Sequence, residues 1–176
     1  MSGPAQFLEH TPWWADAIFV LLVVLGAQAL RARRVAPWRL LPVPIVFMVW
    51  GLVALAGAAL ADVQRGEIWA ALAVPGLVLG WWSWRGRQLA LDGETGAVLL
   101  AGSLLPLLRN MVVFLVKYAL NAAPVVDPST TLLAGRIDSA VSGLLAGYFL
   151  AWLLGYRRAL ARAAVAVTTL RMDQVT

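Results

Sequence analysis

Five long apolar stretches, separated by short polar or arginine-rich segments, set the pattern of the chain. They fall at about 13–30, 41–61, 68–84, 103–123 and 132–156. Each is close to the roughly 20 residues that a helix needs to cross the ~30 Å hydrocarbon core of a bilayer. The pattern predicts an all-α integral membrane protein, a bundle of five transmembrane helices forming a single membrane domain over residues 1–176.

Local signals place the breaks. Thr11-Pro12 is suited to open the first helix, with Thr11 capping and Pro12 at the first helical position. Pro75 in the third stretch lacks an N–H and crowds the preceding turn, which predicts a kink. The segment 87–101 differs from the rest. It alternates weakly about Asp92-Gly93 and predicts a short β-hairpin between the third and fourth helices. A lone hairpin is marginal in water, so it must rest on helix ends or on a partner. Ser103 is placed to cap the fourth helix. Pro128 disfavours helix at Asp127, leaving 124–129 as a loop.

Composition agrees with a bilayer as solvent. The chain is 61% hydrophobic and 13% charged, with mean hydropathy +0.79, where a soluble domain is nearer half apolar and a quarter charged. The net charge of +5 comes mainly from arginines that flank the apolar stretches. Arg31, Arg33, Arg34 and Arg39 follow the first stretch, Arg85 and Arg87 the third, and Arg157, Arg158, Arg162 and Arg171 the fifth. Arg65, beside Asp62 and Glu67, and Arg136 are the exceptions. Because basic loops stay on the cytoplasmic side, this bias puts the N-terminus outside, the C-terminus inside and the hairpin in the cytoplasm. Trp13, Trp14, Trp38, Trp69, Trp81, Trp82 and Trp84 fall at stretch ends, as interfacial tryptophans do. The same bias accounts for the charge without a nucleic-acid partner. No basic segment precedes the first apolar run, so that run is expected to stay as a span and not to be cleaved as a signal peptide.

Little conventional chemistry is written in the chain. It has no cysteine and one histidine, His10, which excludes thiolate and multi-histidine metal sites within the chain. No metal or cofactor is expected. No nucleotide-binding or hydrolase motif occurs. Ser139 and Ser142 flank Asp138 without a histidine nearby and read as packing hydroxyls.

The chemistry that does stand out lies inside the apolar stretches. The fourth carries Arg109, Asn110, Lys117 and Asn121. At 100° per residue, Asn110, Lys117 and Asn121 share one seam with Phe114, and Arg109 points away from it. Lys117, the sole lysine, and Asp138 each lie about 9 Å from the outer end of their helices. Asp16 enters the first helix from the same side. An unpaired charge in hydrocarbon neutralises, so an intramembrane site of Lys117, Asp138 and Asp16, centred on a Lys117–Asp138 ion pair, is the expectation. Snorkelling of Lys117 and Arg109 to opposite interfaces is the simpler alternative.

A second pattern is structural. Gly135, Ser139, Gly143, Gly147, Ala151 and Gly155 recur every four residues. They form a small-residue ridge that permits close helix approach, within the chain or with a partner.

The opening Phe7-Leu8-Glu9-His10-Thr11-Pro12-Trp13-Trp14 resembles the start of an uncharacterised family of small bacterial multi-pass membrane proteins, in which a Phe-Leu-x-His-Thr-Pro run leads into the first span. The resemblance implies a bacterial inner-membrane location and assigns no activity or catalytic residue. Three functional classes fit these observations. One is a small proton- or ion-linked permease using the lysine–aspartate pair. Another is a scaffold or assembly subunit meeting a second copy or another membrane protein through the ridge. The third is an enzyme acting on lipids or quinones, for which the residues offer least.

Overall fold

The computed structural model of the protein describes residues 13–85 and 89–173. It is all-α in class, with five long helices and a small sheet among the described residues. The helices are α1 (Trp13–Ala29), α2 (Pro42–Ala61), α3 (Val63–Trp82), α4 (Leu105–Val126) and α5 (Thr131–Asp173). The strands are β1 (Arg33–Val35), β2 (Ala90–Leu91) and β3 (Val98–Leu100). Short 3-10 turns, each begun by a proline, lead into α2 and α5. Three stretches are long and apolar enough to cross a membrane: Pro37–Gly57, Leu105–Val126 and Pro128–Val167.

The chain divides into two compact units. The first comprises residues 1–33 and 101–119, and the second 34–100 and 120–176. In the first, α1 and α4 run antiparallel. Ser103 N–H donates to the Ala29 carbonyl at 2.8 Å, and the Phe19 and Phe114 rings lie 5.5 Å apart. Gly26 lets the Leu107 side chain sit directly on the α1 backbone, where a β-carbon would collide with it. Ser103 Oγ accepts from Leu105 N–H at 3.2 Å and so contributes to capping α4.

In the second unit, α5 is the central element, with α2 and α3 packed on it. α2 lies antiparallel to α5: Tyr156 OH donates to Pro37 O near one end, Phe47 stacks on Phe149 at 4.8 Å, and Gly51 meets Ala146 further along. α3 lies parallel to α5. Trp69 faces Gly143, Ala73 faces Gly147, and Trp84 faces Gly155, in rising order on both helices.

Several boundaries depart from the expectation. The polar segment Asp62–Glu67 is not a loop. Asp62 Oδ1 accepts from Gln64 N–H at 3.0 Å and caps α3, so Val63–Glu67 becomes its first turn and one residue separates it from α2. α4 continues through Pro124 to Val126, whereas Pro75 lies inside α3, where the sequence places it. The Ala/Val-rich segment after Tyr156 continues α5, a continuation its composition allows. The 43 residues of α5 span about 65 Å at 1.5 Å per residue, twice a hydrocarbon core.

β2 and β3 pair antiparallel, Ala90 opposite Leu99 and Leu91 opposite Val98. The connection is not a two-residue Asp92-Gly93 turn. Asp92 Oδ1 accepts from Glu94 N–H and Thr95 N–H at 3.0 and 3.3 Å. The left-handed residue is Gly96, at φ 65°. β1 adds a third strand, in the order β1-β3-β2. Arg34 pairs with Asp92 at 2.7 Å, from β1 to the β2–β3 turn. Val98, at the centre of the sheet, is fully buried.

Candidate functional site

Four polar side chains are buried among the described residues: Asn110, Lys117, Ser139 and Ser142. The first two lie on α4 in the first unit and the two serines on α5 in the second. Buried polar groups are costly unless partnered, so these positions are the ones that packing alone does not explain.

On α4, Asn110 and Lys117 are 4% and 8% exposed, although the helix is otherwise apolar enough to cross a bilayer. They lie two turns apart on one face. The flanking Val112, Leu115 and Val116 are exposed, so the helix has a buried polar side and an exposed aliphatic side. Phe114 and Tyr118 stack at 6.0 Å along the same helix. Arg109 is half-buried, and its Nη2 donates to Asn110 Oδ1 at 3.5 Å, the long limit of a hydrogen bond. Arg109 thus turns back toward the seam, a direction that a count of 100° per residue, which ignores side-chain length, does not give.

The other expected site residues are distributed differently. Asn121 is exposed and belongs to the second unit. Asp138 is half-buried on α5, also in the second unit. Asp16 lies within α1, and its side chain is outside the described residues, as are Glu9 and His10.

No family model, curated protein or solved structure matches this chain. The stretch Phe7–Pro12, which carries most of the resemblance noted above, lies outside the described residues.

The small-residue ridge is the contact surface between α3 and α5. A β-carbon at Gly143 would strike the Trp69 carbonyl oxygen, and one at Gly147 the Ala73 carbonyl oxygen. The relation is reciprocal, since β-carbons at Gly76 and Gly80 would strike the Leu144 and Tyr148 carbonyl oxygens. Ridge residues of each helix therefore rest on the backbone of the other, the closest approach that two helices can make. At one end of the pair Trp84, Trp152 and Tyr156 cluster with ring centroids 5.4–6.1 Å apart.

At the other end the ridge meets arginine. Arg65 Nε donates to Gly135 O at 3.2 Å and to Ser139 Oγ at 3.3 Å, and Ser139 Oγ donates to Gly135 O at 3.0 Å. Arg136 Nη2 donates to Gln64 Oε1. Arg65 had no role in the sequence beyond loop charge. The signal that could have found it is its position four residues before Trp69, on the same face of α3. Ser139 acts as a packing hydroxyl here, 1% exposed and bonded to backbone and arginine.

Proposed function

We propose that this chain is a five-span protein of the bacterial inner membrane that conducts a proton or small ion along the polar face of α4, with Lys117 as the charged group on the route. The observation that carries the reading is the burial of Lys117 and Asn110 on one face of a helix that is otherwise apolar enough to cross a bilayer. Ionisable groups at such positions commonly line a path for protons or ions. The inner-membrane location comes from the resemblance at residues 7–14 and from the arginine bias.

The alternating five-span path is supported by helix directions within each unit. An alternating path makes α3 and α5 parallel and makes α2 antiparallel to α5, as they are. It also makes α1 and α4 antiparallel, as they are. Large aliphatic and tryptophan side chains exposed on all five helices, among them Val20, Val53, Val78, Trp82, Leu115 and Leu133, suit lipid as the surrounding solvent. The scaffold reading relies on the ridge of α5, and α3 of the same chain occupies that ridge. This favours the permease reading.

The test is flux. Purified protein in liposomes holding a pH-sensitive dye should dissipate an imposed proton or monovalent-ion gradient. Lys117→Met should abolish this while the protein still elutes as a single detergent-solubilised species. The lysine–aspartate pairing expected from the sequence is tested by charge reversal, with Lys117→Asp and Asp138→Lys each inactive and the double variant partly restored. Wild-type vesicles that leak no faster than protein-free ones would remove the permease reading.

A further inference from the structure

The arginines at the head of the α3–α5 pair have an unusual set of partners. Arg65 bonds a carbonyl and a hydroxyl, and Arg136 bonds a side-chain amide. All three acceptors are neutral, so among the described residues neither arginine is shown bonded to a carboxylate. The ion pair Arg34–Asp92 lies elsewhere, in the sheet. Asp62, the nearest carboxylate in sequence to Gln64, has its Oδ1 engaged by the cap of α3.

Two donors on the same pair of helices are also unmet. Arg136 Nε and Trp69 Nε1 are both buried with no hydrogen-bond partner in the protein. Trp69 lies one turn beyond Arg65 on α3, and Arg136 adjoins Gly135, on whose carbonyl Arg65 rests. A buried donor left unmet calls for an explanation, and an ion held beside it is one. A guanidinium fork matches a tetrahedral oxyanion, which offers several acceptor oxygens at once. The surroundings narrow the class further. Val63, Leu132 and Leu133, beside the two arginines in sequence, are 71%, 57% and 63% exposed. An anion bound here would have an aliphatic flank next to it.

We propose that Arg65 and Arg136 form a receptor for a phosphate group at the shared N-terminal end of α3 and α5, with the phosphodiester of an anionic phospholipid as the natural occupant. The site gives a purpose to the two arginines that break the inside bias of the others. Its placement in the outer leaflet rests on the five-span reading, whereas the site itself does not.

Thermal stability of the purified full-length protein in detergent provides the test, with native mass spectrometry of bound lipid beside it. Phosphatidylglycerol should raise the melting temperature and remain bound, and diacylglycerol, which lacks the phosphate, should do neither. Arg136→Gln should lose most of the shift and of the retained lipid, and Arg162→Gln, at the far part of α5, should keep both. Inorganic phosphate giving the same Arg136-dependent protection would assign the site to a soluble phosphate instead of a lipid. Equal protection by phosphatidylglycerol and diacylglycerol, or unchanged lipid retention in Arg136→Gln, would overturn the proposal. The wild-type comparison of the two lipids can overturn it even if the variants fail to fold. These measurements involve no flux, so an inactive permease does not affect them.

Discussion

Asp92 shows how much one side chain can organise. Its carboxylate accepts two backbone N–H groups of its own turn and the Arg34 guanidinium from β1. The N–H bonds from Glu94 and Thr95, with the arginine as a smaller influence, hold its pKa below the ordinary 3.8. The sign follows directly. The folded carboxyl titrates below the unfolded one, so its stabilisation is fully present above pH 3.8 and is lost as pH falls through the lower folded value. Acidification below that range should loosen the turn, and Asp92→Asn should loosen it at neutral pH. Hydrogen exchange at Glu94, Thr95 and Val98, corrected for intrinsic rates, would register both, and unchanged protection would refute the role. Asp127 has the same character: its pKa is lowered by the bonds it accepts from the Ser129 side chain and backbone N–H. Of the polar residues singled out in the sequence, Asn110 and Lys117 were legible because a seam on an amphipathic helix depends only on helical spacing. The engagement of Arg65 was not, since it depends on the register between two helices 70 residues apart in the chain.

At the scale of elements, apolar length announced the five helices, and capping chemistry set where α3 and α4 begin. Asp62 converts an apparent loop into the first turn of α3. The third strand was hidden because Arg33–Val35 lies in a run that reads first as a topology signal. The ridge on α5 was visible as a repeat of small residues, but its occupant was not, because Gly76 and Gly80 form only a single pair on α3. Its packing makes a sharp prediction. Gly143→Ala places a methyl against the Trp69 carbonyl and should cost about 1–3 kcal/mol of stability, the range for overpacking. Ala substitution at Gly57, where a β-carbon meets nothing within 4 Å, should cost no more than a few tenths. Reversible unfolding in mixed micelles would measure both, and equal values would show that α3 and α5 are not in backbone contact.

For the molecule as a whole, the sequence has no cysteine, so each introduced thiol reports alone. Under the five-span arrangement, Glu94→Cys in the sheet turn should react with impermeant maleimide only after the inner face is opened. Ser129→Cys, between α4 and α5, should react in intact cells. Both residues are exposed. Reaction of Glu94→Cys from the outside would reverse or break the topology.

The parallel contact of α3 and α5 also bears on the order of synthesis. α3 begins with Gln64, Arg65 and Glu67, carries Pro75, and is not among the stretches apolar enough to span by themselves. The surface that receives its glycines belongs to α5, made more than sixty residues later. Until α5 emerges from the ribosome, α3 has no partner for Gly76 and Gly80, so it is committed to its final position only once Leu144 and Tyr148 have been made.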